Sequence, residues 1–147
     1  MAAVRRATAT WRGDLASGEG VVSAATSGAF SNLPVTWASR TEEANERTSP
    51  EELVAAAHAA CFCMAFSGGL ARAGTPPTRL EVTAAVTFEK VDAGWRVGSS
   101  ALAVRGWVPG ATADSFRAAA DAARDGCPIS QALKGNVAIS VEATLES

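Results

Sequence analysis

The sequence predicts an α+β fold in which two antiparallel sheets surround central helices. Strand-like and helix-like segments follow one another in the order βββ-α-ββ-α-β, which lacks the regular alternation of a parallel α/β sheet. Between Leu53 and Ala71 the chain carries no Asp, Glu, Lys or Arg, which indicates a central helix. A length of 147 residues fits one domain over 1–147, and a hydrophobic share of 48% suffices for a core.

The N-terminal part predicts three short strands. Residues 5–11 alternate between apolar and polar side chains, and residues 19–26 do so again after turn-forming residues at 13–18. A third short strand is expected over 34–38. Residues 41–49 are charged and polar, which predicts a loop.

The central helix has clear start and stop signals. Ser49 is a good N-cap, Pro50 suits the first helical position, and Glu52 completes a Ser-x-x-Glu capping box. The helix is expected to end near Arg72, before Gly74. It is apolar all round but rich in alanine, which favours a buried helix over a membrane span.

The C-terminal part predicts a β-hairpin, two helices and a last strand. Residues 79–90 and 94–108 alternate on either side of a short glycine-containing loop. A helix follows over 113–125, a short helical turn over 127–133, and a strand over 137–145.

Composition and charge exclude several kinds of partner. The net charge is −2, so we expect neither nucleic acid nor a membrane surface as a partner. Three cysteines without paired spacing indicate reduced thiols rather than a secreted disulfide framework. The first six residues lack the apolar region of a signal peptide, so a cytoplasmic location is expected.

Two cysteines differ in what the sequence provides around them. Pro128 places Cys127 at the N-cap of a short helix, where free N–H groups and the helix dipole stabilise a thiolate. Cys61 lies in the middle of the central helix and needs a nearby cation to ionise. A small buried hydrophobic residue is the alternative interpretation of Cys61, and an unreactive helix start is that of Cys127.

Other polar residues of this region have simpler interpretations. His58 shares a helix face with Cys61, which allows a Cys–His pair, but a buried and hydrogen-bonded histidine is the commoner case. Cys63 points about 200° away from Cys61 around the helix, which favours a packing role. No set of metal ligands is complete, so no metal is expected. Surface solvation is the alternative for the candidate charged residues, which are Arg40, Arg47, Glu51 and Glu52.

Two long motifs resemble the OsmC/Ohr family of hydroperoxide reductases. The first is Thr-Ser-Pro-Glu-Glu-Leu-Val-Ala-Ala-Ala-His-Ala-Ala-Cys-Phe-Cys-Met-Ala (48–65), and the second is Gly-Cys-Pro-Ile-Ser-Gln-Ala-Leu (126–133). The hairpin Lys-Val-Asp-Ala-Gly-Trp (90–95) extends the resemblance. The amino-acid sequences of both motifs are closer to the OsmC branch than to the Ohr branch.

The resemblance implies a role for each candidate residue. Cys61 corresponds to the peroxidatic cysteine and Cys127 to the resolving cysteine, with a disulfide between them as intermediate. Glu51 corresponds to the active-site glutamate, and Arg40 to the arginine, with Arg47 as a rival. The family's members are intertwined homodimers that use a small dithiol or lipoyl group as reductant. No metal, flavin or haem is implied.

Simple geometry adds one expectation about the dimer. Glu51 and Cys61 are separated by about 15 Å along one helix, so either Glu51 serves the Cys61 of the other subunit or the arginine spans the gap. The expected function is the reduction of organic hydroperoxides, in oxidative or osmotic stress, to alcohols and water. A non-catalytic dimeric binding protein for an apolar ligand is the alternative, and a Cys–His hydrolase built on Cys61 and His58 is a third, weaker one.

Overall fold

A computed structural model describes residues 1–146 of the chain. The chain divides into two compact units, Met1–Leu53 and Val54–Ser147. Each unit contains a three-stranded sheet, and helices complete the structure, so the predicted α+β class is confirmed. A single domain over residues 1–147 and a homodimer stay predictions.

The sheet of the first unit is antiparallel, in the order β1 (Thr8–Arg12), β2 (Glu19–Ser23) and β3 (Leu33–Val35). Trp11 lies opposite Gly20 in the pairing of the first two strands. A Cβ at Gly20 would come within 2.7 Å of the Trp11 ring, so only glycine accommodates the indole here. The first two predicted strands are present as β1 and β2, but both are shorter than the predicted segments 5–11 and 19–26.

A short helix replaces the end of the third predicted strand. The strand ends at Val35, and α1 (Trp37–Thr41) follows, so the prediction of a strand over 34–38 is wrong in its second half. Thr36 caps the helix: its hydroxyl accepts from the Ser39 N–H at 3.0 Å, while the Thr36 N–H donates to the Ser39 hydroxyl. This reciprocal cap outweighs the strand propensity of the local side chains.

The long helix α2 (Pro50–Arg72) has the predicted bounds. The Glu52 N–H donates to the Ser49 hydroxyl at 3.1 Å, which confirms Ser49 as the N-cap. The Glu52 carboxylate accepts from the Thr48 hydroxyl at 2.8 Å, where a complete capping box would use the N–H of Ser49. Gly74 follows the helix with φ +89°, a left-handed conformation that favours glycine.

Only one face of α2 is buried in the single chain. Its buried side chains are Glu51, His58, Phe62, Phe66 and Leu70. By length and composition the helix passes as a membrane span, and 22% of its most apolar 18-residue stretch is buried. The burial on all sides that the sequence predicts is therefore not reached within one chain. The other face, which includes Ala57, Ala60 and Met64, is exposed.

The sheet of the second unit is mixed rather than antiparallel. Strands β4 (Arg79–Val91) and β5 (Gly94–Trp107) form the predicted antiparallel hairpin, but β6 (Ala138–Leu145) pairs with β5 in parallel. The prediction of purely antiparallel sheets is wrong for this strand. Two helices, α3 (Ala113–Gly126) and α4 (Pro128–Leu133), connect β5 to β6, and such a crossover lets the chain return in the same direction.

The hydrophobic core of the second unit packs α2 and α3 with strand β5. The Phe66 and Phe116 rings lie 4.9 Å apart, and a Cβ at Gly106 would come within 2.5 Å of the Phe116 ring. Burying one such phenylalanine contributes about 2–3 kcal/mol. The fully packed core residues are Phe62, Phe66, Leu70, Leu102, Val104, Val108, Phe116, Ala120, Ala123 and Cys127. Cys127, one of the two predicted site cysteines, is therefore part of this core.

Candidate functional site

Two thiols that are distant in the sequence meet in the second unit. Cys61 lies half-buried in α2, and Cys127 is fully buried at the junction where α3 ends and α4 begins. The two side chains lie close enough to shift each other's pKa, and both cysteines are free thiols. Their proximity makes the two thiols candidates for a disulfide.

The surroundings of Cys127 favour its thiolate. Burial alone would raise the pKa of Cys127, but the effects of nearby hydrogen-bond donors outweigh it and hold the pKa below its ordinary value. They come from the Ser130 backbone N–H, the Cys61 thiol, the Ser130 hydroxyl and the Ile129 N–H. The sulfur makes no full N-cap hydrogen bond, so the N–H groups act mainly through their partial charges.

The surroundings of Cys61 favour its protonated form. Burial raises the pKa of Cys61, and the hydrogen bond and charge of Cys127 raise it further, against a smaller opposite effect of the Ile129 N–H. Within the second unit these effects favour the thiolate on Cys127 over the thiolate on Cys61. The sequence argument that Cys61 needs a cation agrees with this result.

His58 is buried and has a hydrogen-bond partner at each ring nitrogen. Its Nδ1 lies 2.6 Å from the Ser100 hydroxyl oxygen, and its Nε2 lies 2.7 Å from that of Ser130. Burial lowers the pKa of His58, so the ring is neutral near pH 7. Because both nitrogens are occupied, His58 is not placed to deprotonate Cys61. The interpretation of His58 as a satisfied polar group is confirmed, and the hydrolase hypothesis loses its base.

The two serines that hold His58 escaped the sequence argument. Ser130 lies inside the second family motif, directly after Cys127 and two further residues. Ser100 occupies a core-facing position of β5, in the same alternation as Leu102 and Val104. Ser100 is a hydroxyl residue at a position where the strand otherwise points apolar side chains into the core. That mismatch was the available signal that Ser100 has a buried polar partner.

Cys63 lies away from the paired thiols. It is half-buried and lines a cavity of about 420 Å³ with Met64, Ser67 and Arg79. Burial raises the pKa of Cys63, which keeps it a thiol and fits the predicted packing role. Among residues 1–146, no group of three His, Cys, Asp or Glu side chains is arranged to hold a metal ion.

The first unit holds an arginine–carboxylate pair. The Arg40 Nη2 donates to Glu51 Oε1 at 2.8 Å, and Nε donates to both carboxylate oxygens at 3.0 and 3.1 Å. Glu51 is buried, and Arg40 also lies over the Trp37 ring at 5.7 Å. Arg47, the rival candidate, is exposed and donates to the Asn45 carbonyl oxygen. Two predicted site residues are thus brought together, and the guanidinium is fixed in orientation.

An apolar cavity adjoins this pair within the first unit. It has a volume of about 320 Å³, and Arg40 is among its lining residues. Most of its wall is apolar and includes Trp11, Leu15 and Trp37. A permanent positive charge in an apolar recess suits a ligand with one polar end and one apolar end.

Comparison with known proteins agrees with this picture. Residues 43–142 match the model of the OsmC-like protein family. The peroxiredoxin OsmC of Escherichia coli (strain K12) is 41% identical over 138 residues, which cover 94% of this chain and 95% of the relative. The organic hydroperoxide resistance protein OhrA of Bacillus subtilis (strain 168) is 34% identical over 105 residues, covering 70% and 72%. The solved structure of OhrB from Bacillus subtilis is 25% identical, has a TM-score of 0.70, and covers 95% of this chain and 98% of its own.

The fold is that of the OsmC and Ohr proteins, and it holds two neighbouring thiols. The chain belongs to the OsmC-like protein family, as its two motifs indicated. Its enzyme class is that of a peroxidase, which confirms the prediction at this level.

Proposed function

We propose that this peroxidase reduces organic hydroperoxides to alcohols and water through Cys61 and Cys127. Cys61 is the peroxidatic cysteine and Cys127 the resolving cysteine. A small dithiol, with lipoyl groups as the leading candidate, reopens the disulfide. The observation that carries the proposal is the proximity of the two sulfurs, since it brings together a pair able to form a disulfide.

The chemistry uses one peroxide for each disulfide. The Cys61 thiolate attacks one peroxide oxygen, the O–O bond breaks, and the alkoxide leaves as alcohol after taking up a proton. Cys61 is then a sulfenic acid. The Cys127 thiolate attacks its sulfur, the S–O bond breaks, and the hydroxyl leaves as water. The lowered pKa of Cys127 favours this second step because the attacking group must be ionised.

Arg40 supplies the charge that Cys61 lacks. Because burial and Cys127 raise the pKa of Cys61, a cation is needed to bring the thiolate into the neutral range. We assign that role to the Arg40 guanidinium, which Glu51 orients through three hydrogen bonds. The pair comes from the same chain or from a second copy. The same charge stabilises the negative charge that develops on the departing oxygen.

The apolar cavity of the first unit supports an organic substrate. A hydroperoxide carries a polar head on an apolar body, and the cavity combines the Arg40 charge with the rings of Trp11 and Trp37. The Bacillus subtilis relatives are named for organic hydroperoxide resistance, which fits this substrate class. Hydrogen peroxide, which has no apolar body, is expected to be the poorer substrate.

Exposed apolar surface supports an intertwined homodimer. Every residue of β1 is exposed, and Trp11 and Leu15 are 41% and 58% exposed. On α2, Met64 is 70% exposed beside exposed alanines. A second copy would cover these faces, and a molecular mass of twice 15.0 kDa by sedimentation would agree with it. We place the enzyme in the cytoplasm, where thiols stay reduced.

Thiol counting tests the proposed function. One equivalent of cumene hydroperoxide should lower the free thiols of the reduced protein from three to one, and peptide mapping should find a disulfide between Cys61 and Cys127. Cys63→Ser is the matched control, because it should lose the same two thiols. A disulfide that contains Cys63, or peroxide consumption without loss of thiols, would contradict the assignment.

A second candidate function rests on the same cavity. Its volume of about 320 Å³ and apolar wall also suit a protein that carries an apolar ligand without turnover. Such a protein would bind fatty acids and keep all three thiols when treated with peroxide. The thiol count therefore separates the two functions.

A further inference from the structure

A chain of neutral hydrogen bonds leads from β5 to the Cys127 sulfur. Ser100 contacts His58 at 2.6 Å, His58 contacts Ser130 at 2.7 Å, and the Ser130 hydroxyl interacts with Cys127. Ser100 and His58 are completely buried, and Ser130 is 3% exposed. Water therefore does not compete for these bonds, and each hydroxyl hydrogen has a defined partner.

When Cys127 is a thiolate, counting hydrogens fixes the direction of the chain. A hydroxyl has one hydrogen, and that of Ser130 is used when it donates to the Cys127 sulfur. The 2.7 Å contact to His58 is then a hydrogen bond only if Nε2 carries the ring hydrogen and donates. Nδ1 must then accept from the Ser100 hydroxyl. One tautomer of a neutral imidazole satisfies all three contacts.

We propose that His58 is a positioning residue for the resolving cysteine. Through Ser130 it holds a hydrogen-bond donor on Cys127, stabilises that sulfur as the thiolate, and thereby directs the reducing dithiol to the Cys61 sulfur of the disulfide. The inference rests on the proposed function, because it concerns the step in which the disulfide is reopened.

The step balances as an ordinary thiol–disulfide exchange. A thiolate of the dithiol attacks the Cys61 sulfur, the bond between Cys61 and Cys127 breaks, and its electron pair leaves on Cys127. The second thiol of the reductant then attacks its own mixed disulfide, which releases Cys61 as a thiolate and a cyclic disulfide. Of two sulfurs, the one that leaves more easily is the one better stabilised as an anion.

The solvent exposure of the two cysteines also favours attack on the Cys61 sulfur. Cys127 is completely buried, whereas Cys61 is partly exposed in the reduced protein. A reductant from solvent therefore reaches the Cys61 sulfur first. The titratable groups that face the Cys127 sulfur are Cys61 directly and His58 through Ser130.

A titration of Cys127 as a single thiol tests the proposal without any peroxide. In a Cys61→Ser, Cys63→Ser background, thiolate absorbance at 240 nm is followed against pH. Adding His58→Leu should raise the pKa of Cys127 by about one unit, as expected for the loss of a hydrogen bond to a charged group. His58→Gln should restore most of the shift, because its amide donates to Ser130 and accepts from Ser100.

The controls separate positioning from simple packing. Loss of packing alone would affect the Leu and Gln variants in the same direction, so rescue by Gln indicates the hydrogen bond. If His58→Leu does not fold, Ser130→Ala removes the donor directly and should raise the same pKa. An unchanged pKa in the folded His58→Leu or Ser130→Ala variant would overturn the proposal.

The direction of attack is tested on disulfide made with diamide. An excess of 2-mercaptoethanol followed by rapid acid quench should give an adduct on Cys61 in the wild-type protein. His58→Leu should slow the reaction several-fold and move part of the adduct to Cys127. An adduct mainly on Cys127 in the wild type would refute the proposed direction. Because diamide replaces peroxide, a protein that fails to turn over hydroperoxide would still give a result here.

Discussion

Cys61 and Cys127 interact with each other, and that interaction shifts their pKa values in opposite directions. Cys61 lies within α2, where backbone N–H groups are already used by the helix. Cys127 lies between two helices, where the N–H groups of Ile129 and Ser130 are available to its sulfur. The position of a thiol relative to the helix ends therefore decides which of the pair holds the proton.

The two thiols also differ in the groups that can stabilise their negative charge. The surroundings of Cys127 in the second unit are neutral donors, which suit a leaving and resolving thiolate. Cys61 has no comparable set of hydrogen-bond donors. Its ionisation therefore depends on a permanent charge, which we assign to Arg40. Two predictions test this contrast and a third tests the buried His58, from the largest expected effect to the smallest.

Replacing each thiol should have a different consequence. Cys61→Ser should lower peroxide consumption at least about a thousandfold, because the attacking sulfur is lost. Cys127→Ser should keep the first attack and leave a sulfenic acid on Cys61, detected by dimedone labelling and mass spectrometry. Each variant is compared with Cys63→Ser. If Cys127→Ser also failed to react with the first equivalent of peroxide, the division of roles would be wrong.

Removing the Arg40 charge should change the pKa of Cys61 and leave that of Cys127 unchanged. Arg40→Met should raise the pKa of Cys61 by about one to three units and slow the attack on peroxide by about ten- to a hundredfold. The pKa is measured from the pH dependence of alkylation by iodoacetamide, with peptide mapping to separate the cysteines. Arg47→Met, on an exposed neighbour, is the control. Equal effects of the two substitutions would indicate a general change in surface charge.

The buried imidazole should make stability depend on pH. Burial lowers the pKa of folded His58 below its ordinary value of 6.5, so below about pH 6.5 the unfolded chain takes up a proton that the folded chain does not. Stability is therefore complete above pH 6.5 and falls on acidification, by at most about 1.4 kcal/mol per pH unit from this group.

Urea unfolding between pH 7 and pH 5 measures this effect. His58→Gln, which has no titrating ring, should show a flatter dependence than the wild type. The same slope in both proteins would mean that other groups cause the acid sensitivity.

Local sequence signals were sufficient where neighbouring residues determine the structure. The start of α2 followed from Ser49 and Pro50, and the position of Cys127 at a helix start followed from Pro128. The same reasoning missed α1, because its reciprocal cap joins Thr36 to a serine inside a segment with strand propensity. It also missed the parallel pairing of β6, which depends on where two helices carry the chain.

The family, the α+β class and the candidate cysteines were determined by the sequence, since motifs, periodicity and caps depend on residues a few positions apart. Only the tertiary structure decided that Cys61 and Cys127 touch, that Glu51 holds Arg40, and that Ser100 and Ser130 hold His58. These contacts join residues 11 to 72 positions apart, through a loop or through packing of separate elements. Which side chains meet over such separations depends on the whole packed core, and no local pattern contains that information.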